Sequence, residues 1–205
     1  MTKPASPFRT AEQKQTDREA KRDALLLAAV RMFNERCFHA TSLDDVASSL
    51  GVTKPTIYHY LGNKEQVLLE CMTIGLTRLQ DASARAKSES GSAIDRLRAF
   101  LIQYAHVNMT EFGQCVIRTG DELLSPDGVV KLHALKRPID SAMRELIEEG
   151  VAEGSIAPCD PKMMTFTLAG AVNWISRWYS EKGPHSADEI TSQVCAILEN
   201  GFRPR

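Results

Sequence analysis

The chain has 205 residues, 43% of them hydrophobic and 25% charged, with a formal net charge of −1. That length and composition suit one or two globular domains with a substantial core. They exclude a long membrane span, since no apolar run approaches the ~20 residues required, and the whole-chain charge alone does not point to a polyanion partner.

Splitting the charge helps a little. Residues 1–65 carry ten Lys/Arg against eight Asp/Glu, and residues 66–205 carry fifteen against eighteen. This mild asymmetry favours nucleic acid on the N-terminal side. The five cysteines (Cys37, Cys71, Cys115, Cys159, Cys195) are scattered with no Cys-x-x-Cys pair. Free thiols in a reducing compartment are the simplest reading. The polar start, Met1 to Pro7, holds no apolar signal region, so a cytoplasmic protein is expected.

In chain order, residues 1–16 read as a Pro-rich flexible tail, in which Lys3, Arg9 and Lys14 are spare cations near any phosphate. Thr16-x-x-Glu19 is a capping box, predicting a helix to about Arg36 with Leu25, Ala28, Ala29, Met32 and Phe33 on its apolar face. Ser42-x-x-Asp45 starts a second helix, with Thr41 as a competing cap, and Leu43, Val46, Ala47 and Leu50 repeat at helical spacing. Gly51 breaks that pattern, being free to take positive φ at a helix end. Thr53 and Pro55 then suit the start of a third helix. In it, Ile57 and Tyr60 pack inward and Lys54, Thr56, Tyr58 and His59 stay available. Two short helices joined by a tight turn form a helix-turn-helix, whose second helix enters the major groove.

Asn63-x-x-Gln66 caps a long fourth helix reaching about Lys87. Further helical patterns cover about 93–110, a broken stretch at 112–124, and 127–152 after the turn Ser125-Pro126-Asp127-Gly128. Asp160-Pro161 opens another helix, and Ser186-x-x-Glu189 caps the last. No segment shows sustained strand alternation or hairpin chemistry. The expected fold is all-α: a flexible tail (1–16), a three-helix DNA-binding domain (17–65), and a helical ligand-binding and dimerisation domain (66–205).

The helix from Pro161 to Tyr179 is apolar almost all round, so it must be covered on every side. One core plus a subunit interface explains this. Met164, Leu168 and Ala171, with Ile190, Val194, Ile197 and Leu198 of the last helix, are the expected homodimer contacts.

Catalysis finds no support. The five histidines are dispersed, and there is no nucleophile elbow, phosphate-cradling glycine loop or metal-ligand spacing. Asp44 and Asp45 point about 100° apart on a helix, and helix-start chemistry explains them. No catalytic residue, metal site or cofactor is expected.

The run Phe33 to Leu68 resembles the DNA-binding domain of the TetR family of bacterial transcriptional repressors. The resemblance rests on Phe33, Thr41-Ser42-Leu43-Asp44-Asp45-Val46-Ala47, Leu50-Gly51-Val52, Thr56-Ile57-Tyr58-His59-Tyr60 and Asn63-Lys64-Glu65. Cys37-Phe38 stands where a glycine and an aromatic are usual, and Leu61 where phenylalanine is usual. The resemblance implies about nine helices and a homodimer on palindromic operator DNA. It also implies phosphate contacts at Thr41 and Lys64, helix N-termini that favour anions in any case. Ser42, Thr53, Lys54, Thr56, Tyr58, His59 and Tyr60 complete the expected DNA-facing set, with one of Tyr58 and Tyr60 largely structural.

Glu122 to Pro126, Ile147 to Gly150, and Asn173-Trp174-Ile175-x-x-Trp178-Tyr179 look like members of the family that respond to acyl-CoA thioesters. Such an effector needs an apolar tunnel and cations. Phe100, Tyr104, Phe166, Asn173, Trp174 and Trp178, with Arg118 and Arg177, form the candidate ligand set, and Lys136, Arg137 and Met143 are further candidates. A non-CoA hydrophobic effector, or a regulator with no ligand, stays open at this point.

Overall fold

Reciprocal hydrogen bonds at the helix starts organise the fold, and the computed structural model describes them for residues 10–202. Those residues form α1 (Ala11–Arg36), α2 (Leu43–Ser49), α3 (Lys54–Leu61), α4 (Lys64–Ser88), α5 (Ala93–Met109), α6 (Glu111–Arg118), α7 (Pro126–Glu153), α8 (Pro161–Trp178) and α9 (Ala187–Phe202). A 3-10 turn lies at Asp121–Leu123, and there is no strand among the described residues. The architecture is all-α, with an N-terminal helix-turn-helix. Lys3 and Arg9 lie outside the described residues.

The expected caps at Ser42, Asn63 and Ser186 are present. The Ser42 N–H donates to Asp45 Oδ2 at 3.0 Å, and the Asp45 N–H returns to Ser42 Oγ at 3.1 Å. Asn63 and Gln66 exchange two bonds of 2.9 Å at the start of α4. Ser186 and Glu189 do the same before α9. Asp160 accepts from Lys162 and Met163 before α8. Each such cap meets donors that the first turn leaves unpaired, worth about 1 kcal/mol.

The start of α1 differs from expectation. It begins at Ala11, where Thr10 and Gln13 form the capping box. Thr16 lies inside the helix, its hydroxyl donating to the Glu12 carbonyl. Residues 11–16 are therefore helical and not tail. The expected turn at Ser125–Gly128 is likewise the cap and first turn of α7, with Pro126 where no N–H is needed.

The chain divides into two units, one ending at Val67 and the other beginning at Leu68. In the first, Leu25, Leu26, Ala29, Val30 and Phe33 of α1 are buried, as are Leu43, Val46 and Ala47 of α2 and Ile57 and Leu61 of α3. Fully burying one such large side chain stabilises by about 1.5–3 kcal/mol. Three short helices thus hold one another.

In the second unit, α5 is the central helix, in contact with α6, α7, α8 and α9. Phe100 and Leu97 are its most buried large side chains. α4 meets α6 through Gly75, where an added Cβ would stand 2.7 Å from the Phe112 carbonyl oxygen and 2.8 Å from a Val116 methyl. Only a residue without a side chain allows that approach.

Candidate nucleic-acid interface and effector cavity

α2 and α3 are joined by Leu50 to Thr53, and Gly51 makes the turn at φ 64°. Leu50 N–H and Val52 N–H both donate to the Ala47 carbonyl, closing the end of α2. Buried Ile57 pins α3 against the other two helices, so the opposite side of α3 is solvent-facing. On that side Tyr58 is 49% exposed, and Lys54 and His59 are exposed as well. Tyr60 is half-buried, its ring edge-on to His59. Tyr60 is therefore the more structural of the two tyrosines.

Two expected roles change, those of Thr41 and Thr53. Thr41 is only 2% exposed, and its hydroxyl donates to the Met32 and Cys37 carbonyls at 3.2 and 3.0 Å. Its side chain fastens the α1–α2 connection and is not free for phosphate. Exposed Ser42 is the cap of α2, as its spacing to Asp45 implies. Thr53 occupies the N-cap position of α3 without a side-chain capping bond, sharing a 2.9 Å hydroxyl contact with Thr56.

The two cations are both engaged. Lys54 Nζ pairs with Asp44 of α2, and this hydrogen bond and charge raise the lysine pKa. Lys64 Nζ lies 4.1 Å from the Phe38 ring centroid, and desolvation lowers its pKa. These contacts hold both side chains on the first unit's surface and set their positions before any partner arrives.

The second unit contains a cavity of about 690 Å³, within the range of small-molecule sites. Leu76 and Leu79 of α4, Tyr104 of α5, Val116 and Ile117 of α6, and Ile139 and Met143 of α7 give it apolar walls. Thr165, Phe166, Ala169 and Asn173 of α8 close another side, and His133, Lys136, Arg137 and Asp140 add charge. Asp140 is paired with Arg144 at 2.7 Å and His133 with Asp121 at 2.8 Å. Lys136 and Arg137 remain as cations beside an apolar space.

Tyr104 and Asn173 form a polar pair in the cavity wall. Burial pushes the Tyr104 phenol up to about 12, against a hydrogen bond to Asn173. Asn173 Oδ1 also accepts from Asn108 Nδ2 at 3.0 Å. The phenol is thus a neutral donor at any physiological pH.

Of the expected ligand set, Tyr104, Phe166 and Asn173 line this cavity. Phe100 does not; it is fully buried, stacked on Tyr104 with centroids 5.7 Å apart. Arg118 and Arg177 form a reciprocal clasp: Arg118 donates to the Ser176 carbonyl of α8, and Arg177 to the Ile117 carbonyl of α6. Desolvation and the neighbouring Arg177 lower the Arg118 pKa. Trp174 and Trp178 lie outside the cavity, 66% and 50% exposed. Sequence reading missed Leu76 and Leu79, because an apolar wall and an apolar core have the same periodicity, and His133 and Asp140, which look like ordinary solvated helix residues in the sequence.

The expected dimer contacts also divide. Leu168 and Ile190 are buried within the unit's own core and cannot present a face to a partner. Ile197 is 71% exposed, while Met164, Ala171, Val194 and Leu198 are half-buried. Met163, Phe166, Trp174 and Trp178 join Ile197 as exposed large apolar groups of α8 and α9. Among the described residues no helix is long and apolar enough to cross a membrane, and no metal-ligating cluster is found.

A three-helix helix-turn-helix unit followed by a helical unit with a cavity open to solvent defines the class: a transcription regulator that carries a DNA reader and a second helical domain in one chain. Residues 25–71 match the model of bacterial regulatory proteins of the tetR family, and residues 90–202 match that of the tetracyclin repressor-like C-terminal domain. The chain belongs to the TetR family.

Among its relatives is the HTH-type transcriptional repressor KstR2 of Mycolicibacterium smegmatis, 28% identical over 190 residues, covering 89% of this chain and 91% of the relative. A TetR/AcrR regulator from Thermobifida fusca superposes with a TM-score of 0.69 at 32% identity, covering 90% of this chain and all of that one. AibR, solved with isovaleryl coenzyme A and operator DNA, shares the fold at a TM-score of 0.78 and 24% identity, over 87% of this chain and 97% of its own. The relatives are regulators, and the chain is not an enzyme.

Proposed function

We propose that this protein is a ligand-responsive repressor that binds a palindromic operator as a homodimer and is released by an acyl-CoA-type effector. The observation that carries the reading is the cavity of about 690 Å³, apolar within and bordered by Lys136 and Arg137. An acyl chain suits the walls of Leu76, Leu79, Ile139 and Phe166, and the phosphates of a thioester's nucleotide suit the two cations. AibR, of the same fold, binds isovaleryl coenzyme A, which supports the same chemistry here.

In the repressing state, two recognition helices reach successive half-sites, with Lys54, Thr56 and Tyr58 toward the bases and Ser42, His59, Tyr60 and Lys64 toward phosphates. The second copy is seated on the apolar face of α8 and α9. α4 contributes Leu76 and Leu79 to the cavity and is continuous in sequence with the DNA-binding unit. An effector that prefers a different placement of α4 changes the half-site spacing of the dimer and lowers its DNA affinity.

The test is binding to duplex DNA from the protein's own promoter region at fixed salt, with and without long-chain and steroid-type CoA thioesters. Specific binding released by a thioester is the expected result. Specific binding that no thioester changes overturns the effector class and leaves the DNA-binding role standing. Absence of specific binding to that DNA overturns the self-promoter operator.

A further inference from the structure

We propose that the exposed face of α1 from Lys14 through Arg18 to Lys21 is a second DNA-contacting surface, gripping backbone phosphates beside the groove that the recognition helix enters. The proposal rests on the DNA-binding reading above and extends it to a helix outside the helix-turn-helix.

The spacing of four and three residues puts these three side chains on one side of α1. At a helical rise of about 1.5 Å per residue, they span roughly 10 Å. That length meets two or three phosphates of one strand, which repeat at about 3.4 Å along the duplex axis. All three side chains are exposed.

The stripe meets the recognition helix directly. Lys14, Asp17, Arg18 and Lys21 of α1 and His59 and Tyr60 of α3 line one shallow groove of about 300 Å³. His59 and Tyr60 sit on the last turn of α3, after the candidate base-reading positions Lys54, Thr56 and Tyr58. Asp17, half-buried in the same groove, has an interaction of its own. Three cations against one carboxylate leave the groove positive with His59 neutral. Among the described residues none of Lys14, Arg18 and Lys21 is held in an ion pair. Ordinary solvated surface helices balance their charge signs, whereas this face gathers three cations to one carboxylate against the end of the DNA-reading element.

Backbone contacts position a protein without reading sequence. The groove therefore contributes affinity and register, and base choice stays with α3. Each phosphate neutralised adds about −0.9 to the slope of log affinity against log salt.

The experiment compares the full-length protein with a variant carrying Lys14→Gln, Arg18→Gln and Lys21→Gln, on operator and on random-sequence duplex, across a salt series. The expected slope is shallower by about two to three, with both duplexes weakened by one common factor of about tenfold or more. A variant with Lys14→Arg and Lys21→Arg keeps the wild-type slope. An unchanged slope in the triple variant overturns the proposal while the wild type still binds operator. So does a loss confined to the operator, which marks base reading. If the wild type binds no duplex at all, the DNA-binding reading itself fails. Far-ultraviolet helicity of each variant confirms that α1 is intact.

Discussion

Gln80 of α4 donates its side-chain N–H to the carbonyl of Leu135 in α7 at 2.7 Å, three residues before Pro138. Pro138 has no N–H for the helix ladder and leaves the Ala134 carbonyl without its usual donor. α4 therefore grips α7 one residue after the carbonyl that Pro138 leaves without a helical donor. The cavity-lining residues His133, Lys136, Arg137 and Ile139 surround that point.

Replacing Gln80 by Met keeps most of the volume and removes the donor. Stability is expected to fall by about 1 kcal/mol, read from the urea midpoint. The effector concentration for half-release of operator should shift as well. If stability falls but release is unchanged, the contact is structural only.

Lys54→Ala and Tyr58→Ala should each weaken operator binding by roughly 5- to 150-fold, as loss of a base contact of about 1–3 kcal/mol does. Both side chains are exposed, so folding and dimerisation should survive. Titration of operator at physiological salt checks this, and normal binding by both variants removes α3's assigned role.

Much of the first unit was legible because its signals are local. Ser42 and Asp45, or Asn63 and Gln66, stand three residues apart, and the hydrogen bond that joins them is decided within one turn. Thr10 and Gln13 carry the same signal, but Thr16 and Glu19 offered a rival box nearer the apolar run. Thr41 was misplaced for a different reason. Its hydroxyl is held by the carbonyls of Met32, in the last turns of α1, and of Cys37, just past its end, and the path of the chain between them is not encoded in any spacing around residue 41. α8 is apolar on both sides, so periodicity could not separate Leu168, which faces the core, from Trp174, which does not.

Ala169 lines the cavity on α8. Ala169→Phe should fill the space, abolish effector release and leave operator affinity near wild type. Lys136→Ala with Arg137→Ala should instead weaken an anionic thioester by about tenfold or more and spare an uncharged analogue. Calorimetric titration distinguishes the two, and equal losses for both ligands would remove the phosphate role.

Cys37 adopts φ 66° and ψ 156°, a region that costs a residue with a side chain about 1–3 kcal/mol. Cys37→Gly removes that strain, and the added freedom of the unfolded chain takes back about 0.4–1 kcal/mol. The expected outcome is a net gain of about 1 kcal/mol, visible as a higher urea midpoint. A fall instead would show that the thiol side chain stabilises the turn.

Acid should weaken the helix caps. Ser42's hydroxyl and N–H hold Asp45 below its ordinary 3.8, Ser92 does the same for Asp95, and Ser186 holds Glu189 below 4.5. Depressed folded values mean that the stabilisation is present above the ordinary pKa and is lost as pH falls through the lower folded one. Stability should therefore drop progressively below about pH 4.5. Changing Ser42, Ser92 and Ser186 together to Ala should lower stability at neutral pH and flatten that acid limb, as followed by circular dichroism.

The sequence contains two tryptophans, Trp174 and Trp178, and both stand on the solvent side of α8 with at least half their surface uncovered. The protein's indole emission is therefore a signal from one patch of one helix. A subunit settling there would dry both rings and shift the emission to the blue, with no label attached. If two copies pair through this face, dilution of the unmodified protein under a fluorimeter reads how tightly they hold.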